Sequence, residues 1–136
     1  MRVSSAQTVT DADKAVTSAM EAARSLGRAL GESSAFRRFE ATYEVFQADE
    51  AARRKLKDFQ SWQQELRTAA MWGGVDRREQ EKLEREWQSV SAMPSLSDYL
   101  RAQNDLTTLL REATGKISKE IGVDYGAACA PAGGCC

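Results

Sequence analysis

The sequence predicts an all-α protein: a helical bundle of four to five helices, two of them long and amphipathic, completed by oligomerisation. Three observations point there. Apolar residues recur at steps of three, four and seven, which places them on one face of a helix. Glycine, proline and short polar residues stand between these runs, where helices start and stop. No stretch of any length alternates apolar and polar residues as a strand would, and no internal repeat is present. With 136 residues and 29% charged side chains, the chain suits one soluble helical domain.

Residues 1 to about 9 are polar and expected to fray. Thr10 or Asp11 can cap a first helix, whose stripe runs through Val16, Ala19, Met20, Ala23, Leu26 and Leu30 and ends at Gly31. Glu32-Ser33-Ser34 reads as a turn or as the cap of the next helix. That second helix carries Phe36, Phe39, Tyr43 and Phe46 at spacings of three, four and three, a core-facing row. Burying an aromatic or a leucine contributes about 1.5–3 kcal/mol, so this row bears much of the stability of so small a domain.

The phase of the stripe is then lost. Asp49 reads as the cap of a third helix, with Glu50 in its first turn favoured by the helix dipole; one kinked continuous helix is the alternative. Leu56, Phe59, Gln63, Leu66 and Ala70 resume the period, and Trp62 broadens it. Trp72-Gly73-Gly74-Val75 breaks this helix. Asp76 with Glu79 three residues later resembles a capping box opening a fourth helix, whose seam is Leu83, Trp87 and Val90. Met93-Pro94 ends it, because the residue before proline avoids helical geometry. Ser95 can then cap the last helix, Ser95 to Ile121.

Tyr99, Leu106, Leu110, Ala113, Ile117 and Ile121 share one face of that last helix, widened by Leu96, Leu100 and Leu109. At about 1.5 Å per residue it reaches roughly 40 Å. Gly122 stands where a left-handed cap is wanted. Rods this long leave apolar seams that one small chain does not cover, hence the expected self-association or partner. Residues 1–125 form the helical domain, and residues 126–136 a flexible tail rich in Gly, Ala and Cys.

Composition removes several chemistries. There is no histidine, so the usual general base of nucleophilic triads and all His-ligated metal sites are absent. No Gly-rich phosphate loop occurs. A classical enzyme is not expected. A formal charge of −1 argues against a nucleic-acid-coating surface. Arg53, Arg54, Lys55 and Lys57 are interleaved with acids; they read as a solvated face, with an RNA or partner patch as the sharper alternative. No apolar run approaches the roughly 18 residues of a membrane span, and the first ten residues lack a signal-peptide core, so a cytoplasmic location is expected.

Every cysteine lies in the tail: Cys129, Cys135 and Cys136. Three readings stay open. The thiols are ordinary groups on a disordered tail; or they form a disulfide, which a cytosolic setting disfavours as a permanent bond; or they ligate a metal, since thiolates suit an iron–sulfur cluster or zinc. Three thiols are one short of an all-cysteine site, so a cluster needs a ligand from another chain or from outside. A prenylation signal is not indicated, for no C-a-a-X box or polybasic run is present.

The order of residues resembles the YlbF/YmcA family of small helical bacterial regulators. The matching elements are Leu26-Gly27-Arg28-Ala29-Leu30, Ser34, Phe36-x-x-Phe39, Phe46-x-x-Asp49, Ala52 and Leu56-x-x-Phe59. The strongest run starts at Pro94-x-Leu96-x-x-Tyr99-Leu100-x-Ala102-Gln103 and continues through Leu106, Leu109 and Leu110. It ends in Ile117-x-x-x-Ile121-Gly122-x-Asp124-Tyr125. The resemblance covers roughly residues 15 to 125. The family pattern usually has proline after the central Asp, where this chain has Glu50. The Cys- and Gly-rich tail favours the YlbF side.

The resemblance implies an all-helical, dimeric or further oligomerised protein with no catalytic activity of its own. It also implies YmcA-like and YaaT-like partners, an iron–sulfur cluster (4Fe-4S) shared between chains, and Cys129, Cys135 and Cys136 as its ligands. Members of that complex influence competence, sporulation and biofilm formation, and help ribonuclease Y mature transcripts. Two other classes compete with this regulatory adaptor: a purely structural helical oligomer with an incidental tail, and an RNA-binding module using Arg53, Arg54, Lys55 and Lys57. Direct nucleic-acid binding ranks last because acids balance the bases.

Overall fold

The computed structural model describes residues 5–129, with side chains described from 10 to 128. Six helices follow one another: α1 (Ser5–Glu32), α2 (Ser34–Ala48), α3 (Glu50–Met71), α4 (Arg77–Ser91), α5 (Pro94–Ile121) and α6 (Tyr125–Cys129). There is no strand among the described residues. The all-α expectation holds.

Most boundaries sit where capping chemistry puts them. The Ser33 side chain accepts from the Phe36 N–H and starts α2. Asp49 Oδ1 accepts from the Ala52 N–H at 3.0 Å and starts α3, so the junction is a true break and not a kink in one rod. Asp76 and Glu79 form a reciprocal capping box at α4. Gly73 and Gly122 both take positive φ, +77° and +72°, the left-handed region that glycine enters freely.

Three boundaries differ from the sequence reading. α1 begins at Ser5, ahead of Thr10 and Asp11, and it runs through Gly31 to Glu32. Glycine inside a helix weakens it without ending it, and here the break is made by the Ser33 cap. At α5 the residue before the helix is Met93, with no side-chain cap, and Pro94 occupies the first turn. Proline suits that position because its missing N–H would have no partner there. Ser95 therefore caps nothing. It is buried, and its hydroxyl donates to Asp49 Oδ2 at 2.7 Å.

The core is small and lies at one level of the molecule. Phe46, Ala52, Phe59, Val90 and Leu96 are buried together, with Leu56, Leu83, Trp87, Met93, Tyr99 and Leu100 packed against them. α2 packs most extensively on α5, and α3 and α4 form an antiparallel hairpin. Of the aromatic row on α2, only Phe46 is buried; Phe36 and Phe39 are half-buried and Tyr43 is exposed. Phe39, Tyr43 and Phe46 all meet Tyr99 of α5, with ring centroids 5.6, 5.7 and 5.5 Å away. That spacing is within the range of favourable aromatic pairs. Burial then fades along α5: Leu96 and Ala102 are buried, Leu106 and Leu109 half-buried, Leu110 and Ile121 exposed.

Candidate functional site

Where α5 loses its cover, α1 runs beside it without closing on it. The space between them is an apolar groove of about 700 Å³. Its α1 wall includes Ala19, Ala23, Leu26, Gly27 and Leu30, and its α5 wall Ile117 and Ile121. A second depression continues along Leu109 and Ala113. The groove exists because the α1 wall is built largely from alanine and glycine, which have little side chain to fill it. A Cβ added at Gly27 or Gly31 would meet nothing within 4 Å.

The end of the groove is closed by a fold-back. Gly122 terminates α5, donating its N–H to the Ser118 carbonyl. Ser118 then joins the two helices: its Oγ accepts from the Tyr125 N–H at 3.0 Å while donating to the Thr114 carbonyl at 2.9 Å. Asp124 Oδ1 accepts from the Ala127 N–H at 3.1 Å, so α6 begins on an aspartate cap. Tyr125, at the start of α6, completes the groove wall. The stretch 126–129, expected as part of a flexible tail, is thus one helical turn laid against the last turns of α5.

Cys129 is the last residue of α6, and Cys135 and Cys136 lie outside the described residues. Among the described residues, no three His, Cys, Asp or Glu side chains gather into a metal-sized cluster. The donor set remains three thiols on eight residues, chemically suited to iron but insufficient alone for a four-thiolate site.

The basic residues of α3, Arg53, Arg54, Lys55 and Lys57, are all exposed. Arg53, Arg54 and Lys57 share a shallow surface depression with Glu50, and Arg54 pairs with Glu50 at 2.8 Å. Asp49 stands at the head of this helix as its cap. Its carboxyl is held below the usual carboxylate range chiefly by the Ser95 hydroxyl, then by the Ala52 N–H.

Two surface features escaped the sequence reading. The groove itself could have been read from the four-residue spacing of Ala15, Ala19, Ala23, Gly27 and Gly31, a stripe of small residues along α1. The tip of the α3–α4 hairpin exposes Trp72 by 86% and Met71 by 84%. Sequence gave the break there, but nothing about which side chains it would leave in water.

Comparison with known proteins fits this architecture. The family model described as control of competence regulator ComK, YlbF/YmcA, matches residues 19–122. The chain belongs to the YlbF/YmcA family. A UPF0342 protein of Symbiobacterium thermophilum is 35% identical over 75% of this chain and 92% of its own length. One from Desulfitobacterium hafniense is 28% identical over 74% and 82%, and one from Caldicellulosiruptor bescii 30% identical over 71% and 82%. The YlbF/YmcA match spans α2 to α5 and the second half of α1, so the α1 and α5 walls of the groove lie inside it, whereas Tyr125 and the thiols lie beyond it. YlbF/YmcA is a family of competence-regulator control, not a known enzyme family. No helix among the described residues is long and apolar enough to cross a membrane.

Proposed function

We propose that this YlbF/YmcA member is a non-enzymatic regulatory adaptor. It assembles with itself or with YmcA-like and YaaT-like partners through the walls of the α1–α5 groove. Its tail thiols, Cys129, Cys135 and Cys136, contribute to an iron–sulfur cluster (4Fe-4S) shared between chains. In that role it modulates RNA processing with ribonuclease Y, or the developmental decisions of competence, sporulation and biofilm formation.

The observation that carries this reading is the groove with a cysteine-bearing helix at its rim. Tyr125 forms part of the wall, and Cys129 follows four residues later in the same helix. Assembly through the groove would bring a partner to the surface beside which this chain's own tail begins. A bound cluster would supply sensitivity to oxygen and redox state; the chain's own residues supply thiolates and the surface that brings them together. Three thiols per chain need a ligand from elsewhere, which sharing provides.

Anaerobic purification from the native host, with absorbance and iron analysis, tests the reading. Brown, iron-loaded protein that becomes colourless when Cys129, Cys135 and Cys136 are all replaced by serine is expected. Iron-free protein indistinguishable from the triple-serine variant contradicts it.

A second reading has its own support: among the described residues the groove is lined almost wholly by apolar side chains, which is what a plain helix–helix contact needs. On that basis the chain is a structural helical oligomer with an incidental tail. Truncation after Tyr125 separates the two, since the scaffold reading expects unchanged assembly and unchanged regulation in the host.

A further inference from the structure

From the tip of the α3–α4 hairpin we infer that the chain docks peripherally on an anionic lipid surface, with Trp72 and Met71 inserted among the headgroups. The tip is built by α3 and α4, apart from the α1–α5 groove, so this contact goes beyond the assembly proposed above and does not rest on it. It is also distinct from a membrane span, which no helix among the described residues is long and apolar enough to form.

The exposure of the tip is fixed by its backbone. Trp72 is the C-cap of α3. Gly73 follows at φ +77° and donates its N–H to the Ala70 carbonyl at 3.1 Å, and Gly74 donates to the Ala69 carbonyl at 3.0 Å. This pair of bonds makes a glycine-closed helix end, where the chain turns sharply away. It satisfies the last carbonyls of α3 with any side chain at position 72. The fold therefore sets no need for an indole there. Yet Trp72 is 86% and Met71 84% exposed, more than any other large apolar side chain among the described residues. At about 1.5 Å per residue, Trp72 stands about 20 Å along the helix from Phe59, the last buried residue of α3.

Size decides between occupants. An aromatic side chain buries about 150–250 Å², whereas a stable protein interface takes about 800 Å² from each partner. Two side chains on a projecting turn fall short of that. A lipid interface needs no matching shape, because it closes around whatever enters it. Tryptophan suits that boundary, its ring among the lipids and its N–H kept in water.

Charge selects the lipid. Arg67 lies one helical turn below Met71 on the same face, and Arg77 and Arg78 open α4 on the other side of the turn. All three are exposed. Arg77 pairs with Glu81 at 3.2 Å, a solvated contact that an anionic surface replaces readily. Arg67 and Arg78 have no ion pair among the described residues. The acids of the turn are occupied by the fold: Asp76 accepts the Arg78 N–H, and Glu79 accepts the Asp76 N–H, as the cap of α4.

The test mixes the full chain with vesicles of phosphatidylglycerol and phosphatidylcholine in equal parts, and with phosphatidylcholine alone. Co-sedimentation with the mixed vesicles is expected, fading as salt is raised, with little on phosphatidylcholine alone. Trp72→Ala should weaken it about tenfold or more, and Arg67→Gln and Arg78→Gln about fivefold each. These side chains are exposed, so the variants keep the helicity of the wild type. Lipids brominated near the headgroup should quench the tryptophan emission of the wild type and spare Trp72→Ala, in which Trp62 and Trp87 remain. Failure to bind the mixed vesicles overturns the inference, and so does binding or quenching that Trp72→Ala leaves unchanged. Capture of a single-stranded polyuridine RNA instead of vesicles, lost with the same arginines, also overturns it and assigns the tip to nucleic acid.

Discussion

The hydroxyl of Ser95 donates to Oδ2 of Asp49 at 2.7 Å across 46 residues of chain. The same carboxylate caps α3 through Oδ1. One side chain therefore fixes the turn between α2 and α3 and ties it to the first turn of α5, at the level where the core is buried. Ser95→Ala is expected to lower Tm at neutral pH, leaving one carboxylate oxygen without its partner. Circular dichroism melts of both proteins measure the loss.

The pH dependence of that loss follows from the Asp49 shift. Its carboxyl is depressed by hydrogen bonds to the charged form. A depressed acid binds its proton more readily in the unfolded chain, so its contribution is complete above the usual carboxylate range and disappears as pH falls through the lower folded value. The Tm difference between wild type and Ser95→Ala should accordingly shrink on acidification from neutral pH to about pH 3, near and below the ordinary aspartate range. A difference that stays constant would assign the effect of Ser95 to packing alone.

Leu96 is buried at the centre of the cluster, beside Phe46, Phe59 and Val90. Leu96→Ala removes those contacts and leaves a cavity, at a cost of about 2–5 kcal/mol. With so few buried residues, that is a large fraction of the stability of the fold. Urea denaturation should show the midpoint falling sharply, and Trp72→Ala, at the exposed hairpin tip, should leave it within about 0.5 kcal/mol of wild type.

The capping box at Asp76 holds the start of α4 after the two-glycine break. Asp76→Ala should destabilise by about 0.5–2 kcal/mol, and Asp76→Ser by less, since serine retains an acceptor for the helix N–H groups. Thermal melts of the three proteins compare the caps directly.

How legible the molecule was depends on the range of the interaction concerned. Asp49, Asp76 and Gly122 act within three or four residues of themselves, and local sequence located all of them. Gly31 misled because a lone helical glycine weakens a helix without stopping it. Ser95 misled because its partner lies 46 residues away, and a serine just after proline has the same local appearance whether it caps a helix or bonds elsewhere. Periodicity placed Phe36, Phe39, Tyr43 and Phe46 on one face. It could not say that only Phe46 would be buried, because that depends on how far α5 covers α2. The groove was legible as uncovered seams, but its floor of alanine and glycine had drawn no attention. The three thiols are plain in the sequence, whereas any gathering of them would be set by contacts that local sequence does not encode.

Leu26 separates the monomer's own core from the assembly surface, since it lines the groove and is not among the buried cluster. Leu26→Asp should leave the circular dichroism spectrum of the folded chain unchanged and weaken association, because a carboxylate would be carried into an apolar contact. Size-exclusion chromatography over a range of concentrations reads this out.

Assembly through the walls of the α1–α5 groove sets the mass of the protein in solution. Sedimentation equilibrium of the intact chain at micromolar concentration tests it most directly. A mass of two or more times 15.0 kDa that falls toward one chain in Leu26→Asp is expected; a wild-type protein sedimenting as a single chain would rule the assembly surface out.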